Sequence, residues 1–408
     1  MDTIVGFVEQ FVCMDYQSII YTLLIVASIC ILMLYYLRWR DYLLPCSIVL
    51  SKQKKGSDSN DCPKLSVVIP ASNQVELLAE HLPLILEQDY PDFEVVVVDE
   101  ASDDGTKELI QQLQLRHKCL RYTFVPSSST EICRRKLAVT LGVRAARSPW
   151  CVITTASAHP VSKHWLMALS KSMAPHCDLV IGYANFDDDR SPYSDRAIYE
   201  HLRMQLRCFR SAIGYGAMGG VESNFCVRKQ AFLSHKGYAD NLQVSFGESH
   251  LLIDSMSTPL NVGVAVTPDS IVKEELPPYE VWKNQRCYYR EILRNSSKSA
   301  HYYLLREGTA SLLLYLFLVV FVAYLGLRTV EGLVFQQYTV DNIPADVVML
   351  IMVILYFICP VWMLNRSVKV LGERKYGIRL LGYVLEQPFI NFSLKWQRRK
   401  IAKEFKTK

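Results

Sequence analysis

The sequence predicts an α/β domain joined to three membrane-spanning helices. Two near-continuous apolar runs, Leu65–Ile69 and Val95–Val98, are typical of strands buried on both faces of a sheet. An amphipathic stretch separates them, so the order strand, helix, strand predicts a βαβ unit. The ligand site of such a unit lies beyond the carboxyl ends of its strands. Polar residues occupy both ends here: Ser72, Asn73 and Gln74 follow the first strand, and Asp99 and Glu100 follow the second.

Three segments are close to the ~20 apolar residues that a membrane-spanning helix needs. They are residues 19–37, 309–327 and 347–364, and they help to explain why 50% of the 408 residues are hydrophobic. The first segment resembles a signal peptide in position, but its long apolar core and the basic stretch after it favour a retained anchor. We therefore predict a multi-pass membrane protein.

Lys and Arg are unevenly distributed around these segments. Residues 1–18 contain neither, and the 328–345 loop contains a single Arg, whereas residues 38–55 and 366–379 contain five each. Cytoplasmic loops are enriched in these residues. The pattern predicts an external N-terminus, a cytoplasmic domain within residues 38–308 and a cytoplasmic C-terminus, in the inner membrane.

Composition divides the remaining chain into four parts. Residues 38–63 read as a linker, 64–280 as the main domain, 281–308 as interfacial helices and 365–408 as a basic tail. The end of the tail, KWQRRKIAKEFKTK, interleaves apolar with basic residues, which suits a helix on anionic lipid; a solvated tail is the alternative. Because the basic residues that give the net charge of +5 concentrate next to the predicted membrane spans, no nucleic-acid partner is predicted. The 12 Cys lack metal-ligand spacing and read as reduced packing residues.

The stretch from residue 64 to 106 resembles family 2 glycosyltransferases. It reads KLSVVIPASNQ and, later, DYPDFEVVVVDEASDDGT, and both parts agree in order with the family's opening block. The resemblance implies a nucleotide-diphospho-sugar transferase fold, and it implies that the carboxylate of Asp99 contacts the nucleoside. It also implies a nucleotide-sugar site at Pro70, Ala71, Asn73 and Gln74. The alternative for Asp99 is a strand-end residue that caps the next helix.

A second block, from residue 134 to 166, carries the same resemblance and one departure from it. Lys136 matches a family lysine and joins the expected donor site. The family's two metal-binding acids fall on Thr155 and Ser157, whose neutral hydroxyls are weaker ligands for Mg²⁺ or Mn²⁺. We therefore predict no metal at that position, although both hydroxyls still line the donor site.

Three alternatives remain open for the charge of the diphosphate. His159 could act as a metal ligand, but a lone histidine is more often an ordinary surface side chain. The acids within 187–189 could form a displaced metal site, although a solvated turn is favoured. Arg134, Arg135 and Lys136 could neutralise a diphosphate without metal.

The last two matching blocks supply the expected catalytic residues. Glu248 stands where the family has its acid pair, and it is predicted to take the proton of the acceptor hydroxyl. His250 is the second candidate base, and a helix-capping role for Glu248 is the alternative. Gln285 and Arg286 retain part of a donor-binding motif whose Arg-Trp pair reads Tyr-Tyr here. These aromatic residues suit substrate packing or the membrane interface equally well.

The resemblance implies an inverting membrane glycosyltransferase. Its partners would be a nucleotide-diphospho-sugar donor, a cell-envelope or lipid-linked glycan acceptor, and the bilayer, with transfer at the cytoplasmic face. Four departures from the family pattern, at Gln74, at Thr155 with Ser157, at Ser249 and at Tyr288 with Tyr289, keep a second class open. That class is a catalytically inactive relative that acts as a binding or assembly subunit.

Overall fold

The computed structural model describes residues 18–19, 21–48, 62–126, 133–187, 191–242, 247–294, 296–334, 343–387, 389–390 and 392–393. The predictions for the external N-terminus, for most of the linker, for Asp188 and Asp189 and for the end of the basic tail lie outside these residues.

The chain forms two compact units. The helical unit comprises residues Met1–Leu43, Leu304–Arg366 and Tyr376–Gly382. The sheet unit comprises residues Leu44–Tyr303, Ser367–Lys375 and Tyr383–Lys408. The limits of the predicted domains and of the linker stay predictions.

Ten strands lie in the described part of the sheet unit. They are β1 (Leu65–Ala71), β2 (Phe93–Asp99), β3 (Leu120–Phe124), β4 (Trp150–Ile153), β5 (Ala158–Pro160), β6 (Leu179–Gly182), β7 (Ala184–Phe186), β8 (Phe225–Arg228), β9 (Val262–Ala265) and β10 (Val272–Glu274). Seven form a mixed sheet in the order β3-β2-β1-β4-β8-β6-β9, and three form a small sheet in the order β5-β10-β7. In the large sheet, β8 runs antiparallel to both of its neighbours.

The predicted βαβ unit is confirmed. All seven residues of β1 are buried, as are the last five of β2, which explains why neither strand alternates polar with apolar residues. β1 pairs in parallel with β2 on one side and with β4 on the other. Ala71 lies opposite Asp99, so the carboxyl ends of these strands share one edge of the sheet. We call this the polar edge.

Nine helices of the described residues follow β1 along the chain. They are α2 (Val75–Leu86), α3 (Thr106–Arg116), α4 (Arg134–Ala145), α5 (Trp165–Ser170), α6 (Ser194–Ala212), α7 (Lys229–Ser234), α8 (Glu248–Met256), α9 (Tyr279–Arg294) and α10 (Lys298–Val334). Two further helices are α1 (Tyr21–Tyr42), at the start of the chain, and α11 (Ile343–Leu371). The predicted interfacial region therefore consists of α9 and the start of α10.

Among the residues that the structure describes, three helices are long and apolar enough to cross a membrane, over Tyr21–Tyr42, Lys298–Thr329 and Asp346–Leu371. The prediction of three candidate membrane-spanning helices is confirmed, and each helix overlaps one predicted segment, while the limits of the spans stay predictions. Large apolar side chains remain exposed on all three, among them Leu32, Val319 and Ile358, as expected for surfaces that face lipid. Within the helical unit, Arg306 pairs with Asp41, and Arg328 pairs with Asp346.

Candidate functional site

Two loops at the polar edge are joined by hydrogen bonds. The Asn73 backbone N–H donates to the Ser102 hydroxyl over 2.9 Å, and the side-chain oxygen of Asn73, Oδ1, accepts from the Asp103 N–H over 3.0 Å. Asn73 has φ +49°, a left-handed conformation that asparagine tolerates better than most residues. Gln74 begins α2 with no side-chain capping bond. The loops after β1 and β2 therefore form one surface with Asn73 at its centre.

Asp99 is held in place by two donors. Its carboxylate accepts from the Ser102 N–H and from the Tyr122 hydroxyl, each over 3.0 Å. Burial, and then the hydrogen bond to Asp99 and its charge, raise the pKa of Tyr122 to about 12. The hydroxyl is therefore protonated near neutral pH and can donate to Asp99. The Thr106 N–H at the start of α3 binds Asp104, over 3.1 Å. The helix-capping role considered for Asp99 thus belongs to Asp104.

Arg135 connects α4 to the end of β1. One of its guanidinium nitrogens donates to the Pro70 carbonyl over 2.7 Å and lies 3.2 Å from a carboxylate oxygen of Glu100. The Ala71 carbonyl accepts from the Glu100 N–H over 2.8 Å. Pro70 and Ala71 therefore form part of the backbone of the polar edge, and their carbonyl oxygens already accept hydrogen bonds from Arg135 and Glu100.

Lys136 places a buried cation next to these groups. Its residue exposure is 0%, and its amine lies 5.9 Å from the centre of the Tyr238 ring. Burial lowers the pKa of Lys136, and the nearby Glu248, Cys133 and Glu222 act in the opposite direction. The acidic neighbours thus favour a positive charge at this position.

Glu248 is the first residue of α8, and its carboxylate faces the start of α4. The Cys133 thiol donates to Glu248 Oε1 over 3.5 Å. Burial, and then the nearby Glu248 carboxylate, raise the pKa of a second acid, Glu222, well above its ordinary value. The sequence analysis missed Glu222; the only signal was an acid directly after the small residues Gly219, Gly220 and Val221.

His250 lies in a different environment from Glu248. The residue is 7% exposed, and its Nε2 lies 3.0 Å from the sulfur of Met204. Burial lowers the pKa of His250 to about 4, so the ring is neutral near pH 7. Tyr289 packs edge-on against it, with ring centres 5.5 Å apart. These contacts surround the imidazole with protein.

The loop after β4 offers hydroxyls and no carboxylate. Thr155 Oγ1 and Ser157 Oγ are hydrogen-bonded to each other over 3.1 Å. His159 lies 3.7 Å from Asp187 and stacks on His81. Across the residues that the structure describes, no three or more His, Cys, Asp or Glu are grouped to hold a metal ion. The donors at Thr155 and Ser157 therefore do not fit Mg²⁺ or Mn²⁺.

Arg286 on α9 already has a carboxylate partner. Its guanidinium binds both carboxylate oxygens of Glu200 on α6, each over 2.8 Å, and lies 4.7 Å from the Trp282 ring centre. Gln285, its neighbour on α9, is exposed. The structure therefore places Gln285 and Arg286 on a helix surface and gives Arg286 a carboxylate partner.

A mixed α/β sheet of this order, with polar loops at the ends of β1, β2 and β4, places the sheet unit among the glycosyltransferase-type α/β folds. Residues 66–222 match the model of the family described as Glycosyl transferase family 2. The predicted resemblance to that family is confirmed over these residues, and so is the predicted fold class.

Two curated bacterial relatives share short segments with the chain. A GalNAc(5)-diNAcBac-PP-undecaprenol beta-1,3-glucosyltransferase of Campylobacter jejuni is 40% identical over 60 residues, which is 15% of this chain and 19% of the relative. A putative teichuronic acid biosynthesis glycosyltransferase, TuaG of Bacillus subtilis, is 26% identical over 77 residues, 19% of this chain and 31% of the relative. The chain thus spans less than a third of the length of either protein.

Two solved structures are similar to this chain over most of its length. The mannosyltransferase PcManGT of Pyrobaculum calidifontis, solved with GDP-Man and Mn²⁺, is similar with a TM-score of 0.48 and 18% identity, over 84% of this chain and 97% of that chain. TarS of S. aureus is similar with a TM-score of 0.40 and 17% identity, over 81% of this chain and 54% of that chain.

Proposed function

We propose that the protein is an inverting membrane glycosyltransferase that moves a sugar from a nucleotide-diphospho-sugar to a lipid-linked or cell-envelope glycan. The observation that carries this proposal is the position of Glu248. Glu248 is the first residue of α8, and its charge raises the pKa of the buried Lys136 amine against the effect of burial, within a chain whose residues 66–222 match the model of family 2. The name of the Campylobacter relative, which specifies an undecaprenol-linked glycan, supports a lipid-linked acceptor.

The donor would lie along the polar edge. Asp99 keeps acceptor capacity beyond its bonds to Ser102 and Tyr122, so it can bind N–H or O–H groups of a nucleoside. Asn73 and the backbone of Pro70 and Ala71 would shape the floor beneath the nucleotide. The cations Arg135 and Lys136 would then face the diphosphate, whose negative charge they complement.

Transfer would proceed by a single displacement. Glu248 accepts the proton of the acceptor hydroxyl while that oxygen bonds to the anomeric carbon of the sugar. The bond from that carbon to the diphosphate breaks, and its electron pair leaves with the nucleoside diphosphate. Glu248 is the better base of the two candidates, because the His250 ring is enclosed by Met204 and Tyr289.

Donor binding would not depend on a metal at the end of β4, because Thr155 and Ser157 offer only neutral hydroxyls. A displaced site is less well supported. Asp187 lies 3.7 Å from both His159 and Lys273. The cationic Lys273 already offsets its charge.

Membrane association rests on the three apolar helices. We propose the cytoplasmic face of the inner membrane for the sheet unit, because Lys and Arg flank the spans on that side. Cysteine labels or reporter fusions at residues 335 and 405 should report opposite sides of the membrane. Signals from the same side would contradict this orientation.

One observation favours the second candidate, a non-catalytic binding subunit. The Arg286 guanidinium is already bound to Glu200, so a donor would have to displace that carboxylate to use it. In this case the polar edge would hold a nucleotide or a glycan without turnover.

The deciding experiment uses the purified full-length protein in detergent with a panel of nucleotide-sugars. Binding is followed by thermal shift, and transfer by release of nucleoside diphosphate with and without lipid-linked acceptors. Wild type should bind a donor and turn over, and Glu248→Gln should bind without turnover. Glu280→Gln, which changes an exposed glutamate of α9, is the matched control. Binding without turnover in every wild-type reaction would favour the binding subunit.

A further inference from the structure

Phe124 presents an exposed aromatic ring at the polar edge. It is the last residue of β3, which begins the strand order of the large sheet, and exposure increases along this strand from the buried Leu120 to Phe124. Phe124 is 58% exposed. A single exposed apolar residue is ordinary on a protein surface, so the position of this ring has to carry the argument.

The position of Phe124 is next to Asp99. The two residues lie opposite each other in the parallel pairing of β2 with β3, and Asp99 in turn lies opposite Ala71 of β1. Neighbouring strands are about 4.8 Å apart, and residues opposite each other point to the same face of a sheet. Ala71, Asp99 and Phe124 therefore form one row across three strands. The row places the exposed ring beside the carboxylate that we propose binds the nucleoside.

The backbone that carries this ring is fixed on both sides. Val125, which follows it, is buried, and its N–H donates to the Asp99 carbonyl over 2.8 Å. Tyr122, two residues earlier, donates its hydroxyl to the Asp99 carboxylate over 3.0 Å. The rings of Tyr122 and Phe124 are nearly parallel, with 26° between their planes and 6.4 Å between their centres. Phe124 is therefore held beside Asp99 by contacts within the sheet unit.

A flat apolar ring next to a hydrogen-bond acceptor suits one part of a nucleotide-sugar better than the others. The diphosphate and the sugars have no flat aromatic face, whereas every nucleobase has one and stacks on aromatic side chains. The acids from Asp99 to Asp104 make this loop unfavourable for anionic lipid, which is another surface that an exposed phenyl ring could contact. The nucleobase is thus the occupant that the neighbouring groups favour.

We propose that Phe124 is a donor-binding residue on whose exposed ring the nucleobase stacks, while Asp99 binds N–H or O–H groups of the same nucleoside. This inference rests on the proposed function of the polar edge as a nucleotide-sugar site. It assigns to the end of β3 a contact that the apolar pattern of the sequence did not indicate. Because stacking uses the π-face that all bases share, Phe124 contributes affinity for a base and little choice between bases.

The test compares ligands that differ in the base alone. Purified full-length protein in detergent is titrated calorimetrically with uridine diphosphate, with guanosine diphosphate and with ribose 5-diphosphate, which has no base. Phe124→Ala should weaken binding of both nucleotides about fivefold to a hundredfold, the usual contribution of one stacked base. Its affinity for ribose 5-diphosphate should equal that of wild type. Phe124→Trp, which keeps a flat ring, should retain nucleotide affinity.

Leu115→Ala is the matched control, because Leu115 is 88% exposed on α3 and is not in the row with Asp99. It should leave all three affinities unchanged. The proposal is overturned if Phe124→Ala binds the nucleotides as wild type does, or if it loses ribose 5-diphosphate to the same extent. It is also overturned if wild type binds the nucleotides no better than ribose 5-diphosphate. Thermal unfolding of each variant checks that the fold is intact.

Fluorescence of Phe124→Trp gives a second readout that does not need turnover. A base stacked on the introduced indole should quench its emission, so uridine diphosphate should lower the fluorescence of this variant more than that of wild type. Ribose 5-diphosphate should not. Equal quenching by both ligands, or by neither, would contradict stacking at this position.

Kinetics separate this inference from the proposed function. Phe124→Ala should raise the KM for the donor and leave kcat near that of wild type, because the base is remote from the bonds that change. A protein that shows base-dependent affinity through Phe124 but transfers no sugar would keep the stacking site and disprove the proposed transfer. Transfer with an unchanged KM in Phe124→Ala would support the proposed function and overturn the stacking.

Discussion

The ends of β2 and β4 lie on the same edge of one sheet, but they differ in charge. After β2, a carboxylate is retained: Asp99 is fixed by the Ser102 amide and the Tyr122 hydroxyl. After β4, the charge is gone, and Thr155 and Ser157 are hydrogen-bonded to each other. In the proposed donor site, the end that would bind the nucleoside therefore carries a carboxylate, while the end that would bind the diphosphate carries neutral hydroxyls.

The difference teaches that charge at such an edge can be supplied from neighbouring helices. The cations come from the start of α4, where Arg135 reaches the end of β1 and Lys136 is buried. The base that we propose, Glu248, stands at the start of α8. Under that proposal, neutral residues in the loop after β4 change the source of the charge and need not remove the chemistry.

The largest expected effect concerns the acid supplied by α8. Glu248→Gln keeps the size of the side chain but removes its basic carboxylate, so turnover should fall about 10²–10⁴-fold, the usual contribution of positioned proton transfer. Donor affinity should stay nearly unchanged, as measured by titration of the nucleotide-sugar. Full turnover in this variant would move the base to another residue, with His250 next in line.

The neutral state of His250 should be visible in stability. Burial lowers its pKa from 6.5 to about 4, so the unfolded chain binds a proton that the folded chain does not. The stability gained from the neutral ring is present above pH 6.5 and is lost as the pH falls toward 4. The unfolding free energy should drop by up to about 3 kcal/mol over this range, since one pKa unit corresponds to about 1.4 kcal/mol.

Unfolding in detergent at several pH values measures this effect. His250→Gln should flatten the acid loss relative to wild type, whereas His235→Gln, which alters an exposed histidine, should not. If the unfolding free energy falls equally at acid pH in wild type and in His250→Gln, burial does not lower the pKa of this imidazole.

The retained carboxylate after β2 predicts an effect on donor affinity. Asp99→Ala should weaken nucleotide-sugar binding about tenfold to a hundredfold, because loss of a buried charged hydrogen bond typically costs about 1.5–3 kcal/mol. Asp103→Ala, in the same loop but with an exposed side chain, is the matched control. Equal affinities for both variants would remove Asp99 from the site.

The positioning of Asp99 should contribute less than its charge. Tyr122→Phe removes one of its two donors, so donor affinity should fall roughly fivefold, consistent with about 1 kcal/mol for one hydrogen bond. Calorimetric titration of wild type and variant measures the change. A loss as large as that of Asp99→Ala would instead mean that Tyr122 contacts the donor itself.

The smallest expected effect comes from removal of metal. Because Thr155 and Ser157 are poor ligands for Mg²⁺ and Mn²⁺, a chelator should leave donor affinity essentially unchanged. Thermal shift with uridine diphosphate, with and without EDTA, tests this. A strong loss of affinity in EDTA would erase the contrast between the ends of β2 and β4 and point to ligands elsewhere.

The sequence predicted local features of the fold better than the contacts of the site. Apolar runs identified β1 and β2, because a strand buried on both faces has few polar positions. Helix geometry could also have separated Glu248 from His250, since residues two apart on a helix do not share a face. Glu222 and the partner of Arg286 could not be found this way, because the packing of α8 and α6 that places them depends on contacts distant in sequence.

Helix α8 also has a mechanical consequence. Asp254, near its end, accepts hydrogen bonds from both the backbone N–H and the hydroxyl of Ser297, over 2.6 and 2.7 Å. Ser297 immediately precedes α10, and its hydroxyl accepts from the Ala300 N–H in the first turn of that helix. Helix α8 therefore carries Glu248 at one end and is hydrogen-bonded at the other end to Ser297, the residue before α10. A displacement of the first turn of α10 would therefore be transmitted through Asp254 to α8 and would move Glu248.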